Sequence, residues 1–268
     1  GNNQAIRRCS GEHVVLLNPD TEVCSAALDV LVDYMDRHPQ TGALGVKMLD
    51  GRGNYLPESK RGLPTPRVSF FKITGLTALF PRSKYFAGYY LGHLDKDQVH
   101  EVDVLAGAFM LLRKEALDKS GWLDESFFMY GEDIDLSYRI KQSGYKIIYF
   151  PETEIIHYKG ESTKKGSLNY VRMFYQAMAI FARKHFTTGR ARLYQTLIQA
   201  AIYFRATTAV FQGLLKRALF PFIDVLLLFA GIFIIKEFWA NNVKNVPEYY
   251  PQEFMLLVVP LYILIWCL

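Results

Sequence analysis

The chain is short of the residues that tie small folds together. It has three cysteines in 268 residues, Cys9, Cys24 and Cys267, and they lack metal-type spacing. That excludes a disulfide framework and a cysteine-rich zinc site, and leaves free thiols in a reducing compartment as the expectation. Internal repeats and low-complexity tracts are also lacking, which excludes a solenoid or a disordered linker as the main architecture. The excess of positive charge is small, +5 overall, and no nucleic-acid motif accompanies it, so no nucleic-acid partner is expected. Residues 1–12 are polar and do not read as a signal peptide.

Apolar residues are abundant: the chain is 50% hydrophobic and 15% aromatic. Residues 218–235 are almost wholly apolar, broken only by Pro221, Asp224 and Gly231, and are long enough to span a bilayer. Asp224 would then face a partner helix or a cavity. The other reading of 218–235 is a buried core helix. A second apolar run, 255–268, is too short to span and stops where the chain stops. Basic residues gather ahead of both runs: Arg183, Lys184, Arg190, Arg192, Arg205, Lys216 and Arg217. Residues 187–217 therefore read as a basic, interfacial linker on a membrane surface, with the catalytic part on the cytoplasmic side. With no initiator Met at Gly1, both ends read as cut.

The pattern along 1–186 alternates strand and helix. Residues 13–17 are an apolar run without alternation, which predicts a strand buried on both faces, ended by the turn Asn18-Pro19-Asp20-Thr21. A helix is predicted over 25–37, with Leu28, Leu31, Val32 and Met35 inward, and a strand over 43–49. Pro57, Pro64, Pro66 and Pro81 break residues 54–100 into what reads as one long irregular loop of the lid or binding kind. A strand is predicted over 101–112, where the small residues Gly107 and Ala108 allow a close approach. Helices follow over 114–119, 132–143 and 169–186. Between the last two lie a strand over 145–150, stopped by Pro151, and a short extended piece over 155–158. This order predicts an α/β domain with a mixed sheet flanked by helices, with functional residues at strand ends.

The segment Phe127-Phe128-Met129-Tyr130-Gly131-Glu132-Asp133-Ile134-Asp135-Leu136 sets three carboxylates against an apolar run. Carboxylates so placed shift one another's pKa and suit a base or a metal ligand. A plain helix start is the alternative, since acids favour the positive end of the helix dipole. Asp135 precedes Arg139 by four residues, which predicts a surface pair. Asp20, at a strand end, and His157, at another, complete the set. One Asp, one His and a spare carboxylate suit Mg²⁺ or Mn²⁺ with substrate phosphates as the remaining ligands, and leave a separate carboxylate as general base. Each has a structural alternative: Asp20 capping the next helix, His157 held by hydrogen bonds, Gly160 forming a turn.

Four ordered motifs carry a resemblance. Asn18-Pro19-Asp20-Thr21, after Gly11-Glu12-His13-Val14-Val15-Leu16-Leu17, is similar to the metal-motif region of family 2 glycosyltransferases of the GT-A fold. Gly107-Ala108-Phe109-Met110-Leu111-Leu112-Arg113 resembles their acceptor-side strand, Phe127 to Leu136 their Glu-Asp motif, and His157-Tyr158-Lys159-Gly160-Glu161-Ser162 their His-X-X-Gly-X-Ser ending. The nearest likeness is to rhamnosyltransferase-like members that build bacterial surface polysaccharides. The resemblance implies an inverting sugar transfer from a nucleotide-sugar donor to a glycan or lipid-linked acceptor at the bacterial inner membrane. Asp20 and His157 would hold the metal and donor, Asp133 would be the base, and Glu132 would place the acceptor. Gly107, Ala108, Phe128 and Tyr130 would line the acceptor side.

Family members begin with a strand and an acidic loop that hold the nucleoside. Residues 1–6 resemble the helix that follows that part, so the donor pocket is expected to be incomplete and this stretch inactive by itself. Asp20 is one carboxylate where many relatives have two. Two rival readings keep the same residues: an inactive membrane scaffold with 54–100 as a partner surface, and a metal-dependent phosphoester hydrolase, which would need a second metal site.

Overall fold

Six strands form one mixed sheet in the computed structural model, which describes residues 1–127, 130–158 and 168–244, with 256–257, 260–261 and 265. The strands are β1 (His13–Leu17), β2 (Thr21–Val23), β3 (Thr41–Leu49), β4 (His100–Glu101), β5 (Phe109–Arg113) and β6 (Lys146–His157). Their order is β1-β5-β3-β6-β2, with β4 also on β6. Only β3 and β6 run parallel. The helices are α1 (Asn2–Ile6), α2 (Ala27–Arg37), α3 (Pro66–Thr74), α4 (Leu76–Leu79), α5 (Lys114–Ser120), α6 (Glu132–Gln142), α7 (Leu168–His185) and α8 (Thr188–Trp239). The chain divides into two compact units, Gly1–Tyr203 and Phe204–Leu268.

The first unit has the predicted architecture of a mixed sheet between helices. Successive side chains of a strand point to opposite faces. Met110 and Leu112 of β5 and Ile147 and Tyr149 of β6 accordingly meet Ile6, Leu117, Leu136 and Ile140 from α1, α5 and α6. Phe109, Leu111, Ile148 and Phe150 point the other way, onto Leu31 and Met35 of α2. With both faces covered, these central strands need no polar alternation. Leu31 and Met35 are fully buried, so truncating either to Ala costs about 2–5 kcal/mol. Leu28, predicted to face inward with them, is exposed.

Several expectations are corrected. β1 is an edge strand buried on one face only: Val14 is 5% exposed but Val15 is 37% and Leu17 48%. On that second face His13 meets Asp36 of α2 at 3.7 Å, while Val15 and Leu17 stay exposed. The strand predicted over 101–112 is two short strands, β4 and β5, with residues 102–108 bonding to other partners between them. Pro151 does not stop its strand, and 155–158 is not a separate piece. β6 continues to His157 because its register against β3 jumps from Val46–Phe150 to Lys47–Glu154, and Pro151 falls in that irregularity, where no ladder N–H is required. Residues 54–100 are not one irregular loop either. They hold a 3₁₀ turn (Pro57–Ser59), α3 and α4. Pro66 opens α3 at its first turn, where its missing N–H costs nothing, and the Thr65 side chain accepts from Val68 N–H.

In the second unit, Gly213–Lys244 is one 32-residue stretch long and apolar enough to cross a membrane by length and composition, and its most apolar window is not buried within the chain. Most of 255–268 lies outside the described residues.

Candidate active site

Asp20 sits in the turn between β1 and β2, and strand pairing supplies its partner. Thr21 lies opposite His157 in the β2–β6 ladder, and Tyr158 N–H donates to the Asp20 carbonyl at 2.9 Å. Asp20 Oδ1 therefore comes within 3.2 Å of His157 Nε2. Asp20 does not cap α2, which starts at Ala27 with Ala26 as its cap. Among the described residues no group of three His, Cys, Asp or Glu gathers around a point that could hold a metal. The pair thus offers one carboxylate oxygen and one imidazole nitrogen. That donor set fits Mn²⁺ better than Mg²⁺, because imidazole is too soft for Mg²⁺, with phosphate and water oxygens as the remaining ligands.

Glu132 and Asp133 open α6, and the backbone before them is special. Tyr130 has φ +67° and Gly131 φ +89°, two successive residues in the left-handed region. A side chain at Tyr130 pays strain there, the kind held where surrounding packing over-determines the turn. A Cβ at Gly131 would meet the Ala177 Cβ and the Phe127 ring at 3.1 Å, so the turn is tight as well as left-handed. Asp133 then becomes a node. Its Oδ2 accepts from Gly107 N–H at 3.1 Å and from the Arg61 guanidinium, and its Oδ1 accepts from Ile134 N–H at 2.8 Å. Arg61 is buried and also donates to the Leu105 carbonyl at 2.5 Å. Burial opposes its charge, but the Asp133 carboxylate and the Tyr89 side chain outweigh that and raise its pKa.

Glu132 is in a different state. Its Oε2 is buried with no hydrogen-bond partner among the described residues. Burial, and then the Asp133 carboxylate, push its pKa above the ordinary value, with Arg61 opposing. Glu132 and Asp133 line a cavity of about 250 Å³ with Asn18, Gly107 and residues of α1 and β1. Asn18 N–H donates to the Ala108 carbonyl at 3.0 Å. Asn18, Ala108, Gly107 and Asp133 are therefore linked in series, and the turn that carries Asp20 ends up on the side of the sheet that carries the carboxylates. Asp20 and His157 themselves do not line the cavity.

The remaining predicted residues divide. Gly107 lines the cavity, whereas Ala108 is buried in the core against β5 and β6 neighbours. Phe127 is buried and belongs to a core cluster with Ile134 and Phe181, and Tyr130, expected on the acceptor side, packs against the same cluster. Phe128 lies outside the described residues, as does Gly160. Asp135 was expected on the surface with Arg139. It is fully buried, and accepts from Arg139 Nε at 2.8 Å, His185 Nε2 at 2.6 Å and Lys184 Nζ at 3.1 Å. Sequence reasoning missed Arg61, Lys184 and His185, since each lies far along the chain from the carboxylate it meets.

Residues 1–176 match a family model described as glycosyltransferase like family 2. The N-acetylglucosaminyl-diphospho-decaprenol L-rhamnosyltransferase of Mycobacterium tuberculosis is 30% identical over 185 residues, 69% of this chain and 59% of that protein. The low-salt glycan biosynthesis hexosyltransferase of Haloferax volcanii is 26% identical over 195 residues, 68% of this chain and 57% of that protein. The chain thus spans less than two thirds of the length of these relatives. Among solved structures, the mannosyltransferase of Pyrobaculum calidifontis in complex with GDP-Man and Mn²⁺ aligns with a TM-score of 0.41 and 16% identity, over 81% of this chain and 58% of that one.

Proposed function

The chain belongs to the glycosyltransferase-like family 2, and from that premise we propose that the protein carrying it is an inverting transferase: it moves a sugar from a nucleotide-diphosphate donor to a glycan or lipid-linked acceptor in bacterial surface polysaccharide synthesis. The observation that supports this most is the series Asn18–Ala108–Gly107–Asp133, which sets the Asp20 turn and the two carboxylates on one side of the sheet. Asp133 is the base. It takes the proton from an acceptor hydroxyl as the hydroxyl oxygen attacks the anomeric carbon opposite the leaving group. The bond from that carbon to the diphosphate oxygen breaks, and its electron pair leaves with the nucleoside diphosphate. A sugar hydroxyl is a poor nucleophile, so a positioned base contributes about 10²–10⁴-fold. Arg61 and Gly107 N–H position Asp133, and Glu132 contacts the acceptor.

Asp20 and His157 would hold a divalent cation, Mn²⁺ by donor chemistry, with Mg²⁺ as the alternative, and it would supply charge neutralisation for a diphosphate leaving group. Residues 218–235, within the apolar stretch Gly213–Lys244, cross the inner membrane, and 187–217 lie at its cytoplasmic surface. Retention of the intact protein in membranes after alkaline carbonate supports the span; release into the supernatant refutes it.

Asp133→Asn in the intact protein is expected to lower transfer by at least about 10²-fold while nucleotide-sugar binding persists. Undiminished transfer by that variant overturns the base assignment. A second reading makes Glu132 the base, and its raised pKa and open Oε2 favour it. The two separate cleanly: whichever of Asp133→Asn and Glu132→Gln abolishes the acid-side fall of the rate profile carries the proton. Of the rivals, an inactive scaffold predicts no transfer by the wild type across a panel of nucleotide-sugars. A two-metal hydrolase has no second ligand cluster among the described residues.

A further inference from the structure

A second cavity of the first unit lies away from the carboxylates, inside the segment that the sequence pattern reads as irregular. It measures about 750 Å³ and is built by the 3₁₀ turn, α3, α4 and the stretch that follows α4. Its charged lining is one-sided: Lys60, Lys72, Arg82 and Lys96 with His93, against the single carboxylate of Asp95. Clustered like charges repel, and a fold that gathers four cations around a concave space gains when an anion neutralises them.

The inner cations are held in place. Lys60 is 2% exposed, and its ammonium donates to the Leu91 and Leu94 carbonyls at 2.8 and 2.9 Å. An ammonium has three N–H donors, so one is left over. Lys72 donates to the Tyr90 hydroxyl and lies 3.5 Å from the centre of that ring. His93 Nδ1 is buried with no partner among the described residues. Burial, then Lys84, Lys60 and His100, hold the His93 pKa below its usual value. Arg82 and Lys96 are exposed at the mouth. A buried ammonium and a buried ring nitrogen, with exposed cations beside them, suit a ligand with several oxyanion atoms rather than one carboxylate.

The cavity is also next to the candidate base through the backbone. Lys60 has extended φ and ψ, so Lys60 and Arg61 point to opposite sides. Lys60 enters the cavity, while Arg61 holds Asp133. We propose that this cavity is a seat for a diphosphate group, separate from the Asp20–His157 pair and joined to the Asp133 side of the site by one peptide bond. The diphosphate has two sources: the linkage of a lipid-borne acceptor, which rests on the transferase reading, or a free soluble diphosphate.

The test uses the intact protein in detergent, with inorganic pyrophosphate and a short prenyl diphosphate as probes, followed by calorimetry. Arg82→Gln/Lys96→Gln changes two exposed cations outside the catalytic machinery and leaves the fold intact by circular dichroism. Pyrophosphate binding is expected to weaken about tenfold for each cation removed. Competition by the prenyl diphosphate, with the same loss in the variant, assigns the lipid source; its failure to compete assigns the soluble one. Absence of pyrophosphate binding to the wild type, or equal binding by wild type and variant, overturns the seat. Measuring sugar transfer alongside separates the two ideas: pyrophosphate binding that depends on Arg82 and Lys96 in a protein that transfers no sugar keeps the seat and sinks the transferase reading.

Discussion

Replacing Asp135 with Asn changes one charge at the best-buried carboxylate of the molecule, and its cost follows from what each partner keeps. Asp135 is 0% exposed and accepts from Arg139, Lys184 and His185. An Asn amide cannot accept from all three, and its own N–H₂ faces donors. Breaking a buried ion pair outright costs about 3–5 kcal/mol. Here two partners keep other acceptors. Arg139 still donates to the Ser120, Gly121 and Trp122 carbonyls at 2.6, 2.6 and 2.7 Å, and Lys184 still reaches Asp124 at 2.5 Å. The expected loss is therefore lower, about 2–4 kcal/mol. For a unit of this size that lowers Tm by about 4–16 °C. Trp122 is the natural probe, because its carbonyl is one of Arg139's acceptors and Trp239 and Trp266 can be replaced by Phe. A shift of less than about 2 °C in the Trp122 fluorescence transition refutes the account. Acid provides an internal check. Burial pulls the Asp135 pKa up, but the bonds from His185, Lys184 and Arg139 outweigh it and hold the pKa below the ordinary value. Its contribution is therefore present above the unfolded pKa of about 3.9 and is lost as pH falls through the lower folded value. The gap between wild type and Asp135→Asn should begin to narrow near pH 4 and keep narrowing as pH falls through the lower folded value. A gap that persists there refutes the electrostatic origin.

Two further changes bear on the site itself. Arg61→Gln is expected to lower transfer by about 10²-fold at saturating donor, because Asp133 loses its fixed orientation. Arg61→Lys should restore only part of it, since the shorter side chain does not carry its ammonium to the place from which Nη2 donates to both Asp133 and the Leu105 carbonyl; equal rates for Arg61→Gln and wild type refute the positioning role. Gly131→Ala forces a side chain into φ +89° and against Ala177 and Phe127, so about 1–3 kcal/mol of stability should be lost, read as a fall in the same Trp122 transition. An unchanged Tm would mean that the turn relaxes.

Local pattern was enough for the elements it governs. The apolar runs at 43–49 and 145–150 lie in the sheet, and the Glu-Asp start of α6 lies where a helix dipole favours acids. It failed where tertiary pairing decided. Pro151 reads as a stop, yet the bulge against Val46 and Lys47 lets β6 run on to His157, and only that extension brings His157 to Asp20. The prolines of 54–100 read as breaks, yet Pro66 begins a helix. Arg61 carries no local signal at all. Its partner is 72 residues away, and what selects it is a buried carboxylate that cannot be seen until the sheet is assembled.

Glu132, Asp133 and Asp135 are identical in charge and nearly so in sequence position, and the helix separates them. Successive residues of an α-helix turn by about 100°, so three acids in one turn face three surroundings. Asp135 turns into the core, onto three cationic or proton-bearing side chains, and becomes structural. Asp133 turns to the sheet end, where Arg61 and Gly107 N–H hold it at the cavity wall. Glu132 turns into the same cavity without a partner for Oε2 among the described residues, and burial raises its pKa. Environments that drive neighbouring carboxylates apart in this way are how acid and base roles are divided at a single pH. The division also explains why one missing partner matters: without Arg61, Asp133 would keep only the Gly107 and Ile134 N–H groups as partners and would face Glu132 with no cation between them.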